Sequence, residues 1–272
     1  MAAFSISRAW DETKARIAAD GRLMAIVAAA LIALPTLVTG VLNPGRASDD
    51  SSLWTVLVLF GAALLAIVGQ LAIIRLAIGP SVSVAEAIGH GARRMPFYFL
   101  AGILIVIAML IAGLPFLAVL FVAGVPLQGP GAFQSGLAIL LGLLYLALII
   151  FVAVRMLMAS PVASEEAAGP IAILRRSWEL TEGHWWRLFG FILMFLIGAI
   201  VALAAIGAAV GVTAVMLFGP LEPMSATALV VAIVDAVVNG AITLLLAVML
   251  ARIYLQLSGV DSLDVTVPRT GT

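Results

Sequence analysis

Six long apolar stretches divide this chain, and 13 of its 14 Lys and Arg residues fall on one side of the alternation they create. Residues 23–42, 53–78, 97–123, 133–159, 188–219 and 226–257 each reach the roughly 20 residues that cross about 30 Å of hydrocarbon. Backbone polar groups at that depth must be satisfied within the segment, so each stretch is expected to be a helix. The basic residues on the N-terminal side are Arg8, Lys14, Arg16, Arg22, Arg75, Arg93, Arg94, Arg155, Arg175, Arg176, Arg187, Arg252 and Arg269; the opposite side has Arg46 alone. By the positive-inside rule both termini are cytoplasmic. All five Trp residues (Trp10, Trp54, Trp178, Trp185, Trp186) fall at or just outside the edge of an apolar stretch, where an amphipathic ring prefers to sit.

Composition supports the same class. Apolar residues make up 64% of the chain, charged residues 10%, and the mean hydropathy is +1.24. Such a chain cannot cover itself with polar surface in water, so lipid is part of its solvent. With no cysteine, disulfides, thiolate metal sites and thiol chemistry are excluded. Residues 1–22 are mixed in charge and precede a span-length run with no clear small-residue cleavage site, so the first stretch reads as a transmembrane helix rather than a signal peptide. Pro35 and Pro115, late in the first and third stretches, predict kinks. The outer connections, about 43–52, 124–132 and 220–225, are too short for a folded domain. Chemistry or docking is therefore expected inside the bundle or on the cytoplasmic side.

The chain repeats itself. Trp10 and Thr13 precede the first span with the offset that Trp178 and Thr181 show before the fifth. Ser83, Glu86, Arg93 and Arg94 occupy the corresponding place before the third, without a Trp. Arg75, Arg155 and Arg252 mark equivalent exits of the even spans, followed by Gly79-Pro80, Ser160-Pro161 and Ser258-Gly259 as expected helix stops. Units of two spans share one orientation, so they are parallel repeats about an axis along the membrane normal. The expected architecture is all-α: six transmembrane helices as three hairpins, each preceded by a cytoplasmic amphipathic interfacial helix. One membrane domain covers 1–272, with approximate repeats 1–79, 80–160 and 161–259 and a tail at 260–272. A shared interfacial environment, without duplication, is the alternative.

The pre-span segments carry apolar residues at helical spacing. Ile6, Trp10, Thr13 and Ile17 form one such face, and Ile171, Leu174 and Trp178 another opposite Arg175, Arg176, Glu179 and Glu182. Ser83 with Glu86 fits a capping box, and Pro161 and Pro170 fit first-turn positions. Such helices either brace the bundle as a collar or recognise lipid or protein. Basic residues near the surface each attract anionic headgroups by about 1 kcal/mol.

Residues 175–190, containing Trp178, Gly183, Trp186 and Arg187 and running into a long apolar span, resemble the membrane domain attached to some bacterial glycerophosphoryl diester phosphodiesterases. They also resemble stand-alone inner-membrane proteins of that type. The likeness is strongest over 168–197. It implies a bacterial inner-membrane protein. In that family the hydrolytic activity belongs to a separate soluble barrel with a histidine pair and metal-binding carboxylates. Here the histidines are His90 and His184 alone, and the barrel has no counterpart, so the resemblance implies a non-catalytic chain.

Candidate functional residues follow from cost. Asp235 and Asn239 lie one turn apart on one face of the sixth span. A central acid costs about 2.5–3.5 kcal/mol to insert, so it is expected to face the interior or water and to have a partner. It serves either a proton, cation or polar-substrate path or an inter-helix packing bond. Gln70 in the second span is a neutral counterpart. Arg75, Arg155 and Arg252 either snorkel to headgroups or form a ring that binds phosphate. With Arg175, Arg176, Trp178, Trp185, Trp186 and Arg187 they are the candidates for headgroup or partner contact. Two histidines without a convergent carboxylate do not make a metal site. Gly207 and Gly211 form a small-residue pair in the fifth span, read as close packing within the chain or as a dimer seam. No cofactor, metal or nucleic-acid motif is visible. The implied partners are membrane lipids and a membrane or cytoplasmic protein. The function expected is that of a non-catalytic scaffold or accessory in envelope lipid physiology; a small transporter or channel with a path near Asp235 and Asn239 is the alternative.

Overall fold

The computed structural model describes residues 5–42, 53–79, 82–125 and 135–259. All regular structure among them is helical: α1 (Ile6–Ala28), a π-helical turn (Ala29–Ala33), α2 (Leu34–Leu42), α3 (Leu53–Ile78), α4 (Val84–Val122), α5 (Gly136–Arg155), α6 (Ala159–Glu165), α7 (Pro170–Thr181), α8 (Trp185–Phe218) and α9 (Ala226–Ser258). Six helical segments are long and apolar enough to cross a membrane, as expected from the six stretches.

Local chemistry sets their ends. Ser5, Ser83, Ser135 and Ser225 are N-caps whose hydroxyls accept from the amides of Arg8, Glu86, Ala138 and Ala228. Ser83 and Glu86 form the expected reciprocal capping box. That arrangement, through the Ser83 backbone amide first and its hydroxyl second, holds the exposed Glu86 carboxyl below its ordinary range. Pro170 opens α7 at a position needing no amide donor, and Gly259 closes α9 in a left-handed conformation with φ of 74°. Pro35 lies one residue past the π turn, after Leu34. A proline ring crowds the carbonyl one turn earlier, and widening that turn relieves the clash. Thr36, Thr39 and Thr213 return their hydroxyls to carbonyls of the preceding turn, so none is left unsatisfied at depth.

Two expectations are corrected. The first two pre-span segments are not separate helices: α1 and α4 run on from them towards the spans without a break. Only the third stands apart, as α7, because Gly183 (φ 75°) turns the chain between α7 and α8. Ser160-Pro161 does not stop a helix either. α5 ends at Arg155, and both residues lie in the first turn of α6, where proline lacks no needed donor. The outer connections at 43–52 and most of 124–132, with Arg46, Phe133 and the tail at 260–272, lie outside the described residues.

α9 is the central helix. It packs on α1, α2, α3 and α8, while α3 packs on α4, α4 on α5, and α5 on α8. Burial concentrates at one end. Leu71, Met158, Val162, Ile173, Leu188 and Ile253 form one cluster, and Met24, Val27, Ile73, Ile74, Val248 and Ala251 a second. Both draw on the C-terminal turns of α3 and α9. This is the end to which the basic residues belong, and it is called the basic end below. Close helix approach there depends on glycine. A Cβ on Gly91 of α4 would stand 2.7 Å from the Val68 carbonyl oxygen and 3.2 Å from the Ala72 nitrogen, both backbone atoms of α3. By contrast, a Cβ on Gly207 or Gly211 of α8 would meet nothing within 4 Å. Close packing of that pair within the chain is therefore not what the fold contains. α8 leans on α9 elsewhere, through Thr227, whose hydroxyl reaches the Gly219 carbonyl at 2.8 Å and lies 3.5 Å from that of Ala214.

Candidate functional site

The polar chemistry converges at the basic end, around α6 and α7. Short α6 places two acids in succession. Glu165 accepts from Arg75 of α3 at 2.6 Å. Glu166 accepts from Arg176 of α7 at 3.1 Å and from the Tyr254 hydroxyl of α9 at 3.0 Å. The bond to Glu166 holds the Arg176 guanidinium above its ordinary pKa. Beside them, buried Ser164 donates to the Leu71 carbonyl at 3.2 Å, and its own carbonyl meets His90 Nε2 of α4 at 2.5 Å. Four helices are thus tied together through residues 164–166.

The ends of the spanning helices are closed by side chains from elsewhere in the chain. Arg16 donates to the carbonyls of Leu76 (2.7 Å) and Gly79 (3.0 Å), and Arg252 to that of Ala77 (2.8 Å), so two cations cap the negative C-terminus of α3. Ser5 donates its amide to Gln256 of α9 at 3.2 Å. The first turns of α1 therefore cross from the end of α9 to the end of α3. The Arg155 carbonyl at the end of α5 accepts from Ser177 (2.8 Å) and lies 3.4 Å from the Thr181 hydroxyl, both on α7.

These contacts share a pattern. Each pre-span segment buries two small residues one turn apart: Ala9 and Thr13, Ala87 and Gly91, Ser177 and Thr181. Each lies against an even-numbered span: α1 on α9, the start of α4 on α3, and α7 on the end of α5. Trp10 and Trp178, at matching places, are both exposed, at 42% and 40%.

The three exit arginines are not gathered into one ring; each has its own partner. Arg75 has Glu165 and Arg252 has Ala77. Arg155 lies between aromatic rings, its guanidinium carbon 5.0 Å from the Trp178 centroid and 5.4 Å from that of Phe151. Trp185 stacks on Phe151 at 5.8 Å and on Phe189 at 5.1 Å, and donates from Nε1 to the Phe151 carbonyl at 3.3 Å. Trp186 meets Trp185 edge-on at 4.7 Å and is 77% exposed. Arg175 pairs with Glu179 at 3.0 Å, Arg187 is exposed, and the ring of His184 meets the Glu182 carbonyl.

Within the spans the candidates stay apart. Asp235 is exposed and bonds to no described residue. Asn239 accepts from Thr243 at 3.4 Å, a bond within one helix rather than between two. Gln70 is half-buried on α3. Sequence reasoning missed Ser164, Glu165, Glu166 and Ser177, and marked Thr181 only as a repeat position. A pair of acids between two proline-initiated helices was the available signal.

A chain whose described residues form only helices, six of them of spanning length and apolarity, is a multi-pass membrane protein. It belongs to the family described as a domain of unknown function, DUF7847, which matches residues 18–257. No curated protein and no solved structure matches it.

Proposed function

We propose that this chain is a non-catalytic membrane scaffold or accessory protein that works on or among lipids. It is oriented with both termini cytoplasmic in a bacterial inner membrane. One observation carries the reading. The charged side chains of the basic end are largely consumed by one another and by helix ends, as in Arg75–Glu165, Arg176–Glu166, Arg16 and Arg252, which suits a rigid platform. The residue likeness at 175–190 to phosphodiesterase membrane domains supports the lipid assignment, and the family description is silent on it. The matched docking of the three pre-span segments supports three duplicated two-span units that close on themselves. Native mass spectrometry of protein extracted gently from its own membrane tests the proposal: a stoichiometric phospholipid or protein companion is expected. Coupled ion transport by purified protein in liposomes, abolished by Asp235→Asn, would sink it.

That same transport result defines the second reading, a small transporter or channel. It is favoured by the exposed Asp235 on a helix of spanning length and by α5, which is half-buried along one stripe (Ala138, Leu141, Tyr145, Leu148 and Val152) and exposed on its other faces. The runs of exposed Leu and Ile on α4, α5 and α8 suit a lipid-like cargo.

A further inference from the structure

We infer that the corner formed by Arg155, Trp178 and Trp185 binds the headgroup phosphate of an anionic phospholipid. This rests on the lipid-associated reading above and names the ligand and the place.

The argument is an internal comparison. Arg75, Arg155 and Arg252 hold equivalent positions at the exits of the three even spans. At the first, the chain itself supplies an anion, Glu165 at 2.6 Å. At the third, the guanidinium is oriented by a helix C-terminal carbonyl at 2.8 Å. At the second, no carboxylate is supplied. Arg155 forms no ion pair with any described residue; its hydrogen bond is a long donation of 3.4 Å to the Trp178 carbonyl, and its Nε, like that of Arg252, is buried without a hydrogen-bond partner. Aromatic faces stabilise such a cation but do not neutralise it. The nearby acid Glu179 is engaged by Arg175 and Arg176. An uncompensated guanidinium at a membrane edge calls for an external anion, and Arg suits phosphate geometrically.

The surroundings make that anion a lipid rather than free phosphate. Phe151, Trp185, Phe189 and Trp186 form a continuous aromatic ladder leading from Arg155 onto the apolar surface of α8. Trp186 is 77% exposed, and Leu193, Met194 and Ile197 further along α8 are 43%, 74% and 55% exposed. Acyl chains lie naturally along such a surface while the headgroup sits at the level of the Trp side chains.

The test uses the full chain reconstituted in phosphatidylcholine vesicles with a minor share of either phosphatidylglycerol or phosphatidylcholine carrying brominated acyl chains. Tryptophan fluorescence is read. Brominated phosphatidylglycerol is expected to quench more strongly, corresponding to about a fivefold enrichment of the anionic lipid for one basic side chain near the surface. Arg155→Gln should reduce quenching to the phosphatidylcholine level, and Arg155→Lys, which restores the charge, should keep part of the preference. Equal quenching by the two lipids in the wild type overturns the inference, whether or not the variant folds. So does an unchanged preference in Arg155→Gln. Transport blocked by Asp235→Asn would refute the scaffold reading and leave this site standing, so the two fail separately.

Discussion

At the scale of single residues, the Arg75–Glu165 pair and Gly91 carry the clearest consequences. The pair is short and its carboxylate is largely shielded, with side-chain exposures of 32% for Arg75 and 13% for Glu165. Arg75→Gln leaves that carboxylate without its cation and is expected to cost about 1.5–3 kcal/mol, while the double variant Arg75→Gln/Glu165→Gln recovers part of the loss. Thermal unfolding in detergent reads both, and a double variant no better than the single one would show that the pair is not coupled. Gly91→Ala drives a methyl into α3 backbone that cannot yield, with an expected loss of about 1–3 kcal/mol. Gly207→Ala and Gly211→Ala fill open space and remove helix-weakening glycines, so they should be neutral or add up to about 1 kcal/mol each. A large loss at Gly207 instead would reveal a partner seated on that face.

At the scale of elements, the start of α4 and the bracket of α6 and α7 define how helices are fixed. Ser83→Ala removes the hydroxyl that accepts from the Glu86 amide and should loosen the first turn of α4 by about 1 kcal/mol. The same turn depends on pH. Glu86 titrates below its ordinary range in the folded chain, so its contribution is fully present above that range and disappears as pH falls through the lowered value. Hydrogen exchange of the amides of residues 84–87, corrected for intrinsic rates, should show protection lost on acidification in the wild type but not in Glu86→Gln, which keeps a side-chain acceptor for the Ser83 amide and does not titrate. Equal pH dependence in both would assign the effect to another group. The capping box, the first-turn positions of Pro161 and Pro170, and Gly259 beyond α9 were all legible in sequence, because each depends on a few neighbouring residues. The unbroken run of α1 and α4 was not: polar, charged segments continue a helix only because burial of Ala9, Thr13 and Ala87 against other helices holds them there.

At the scale of the whole molecule, the sorting of charge predicts an orientation. The chain has no cysteine, so single introduced thiols report sidedness without background. Glu222→Cys, exposed in the connection between α8 and α9, should react with a membrane-impermeant maleimide in intact cells. Ala167→Cys, exposed between α6 and α7, should react only after lysis. The reverse pattern would invert the topology and place the Arg155 corner on the outer leaflet.

Sequence alone determined the class of this protein and the number of its stretches long and apolar enough to span a membrane. Those properties follow from solvent. Twenty apolar residues partition into hydrocarbon and basic residues stay out of it, whatever the neighbouring helices do. The tertiary structure alone decided which polar residues meet. Nothing local marks Glu165 for Arg75, Glu166 for Tyr254, or Ser177 for the end of α5, since these partners lie 90, 88 and 22 positions apart. Likewise, Gly207 and Gly211 look like a packing motif and stand open, whereas Gly91, in no motif, is the residue that lets two helices touch. A helix face carries no label for its neighbour, and the choice is made by the shape and charge of surfaces that exist only once the chain has folded.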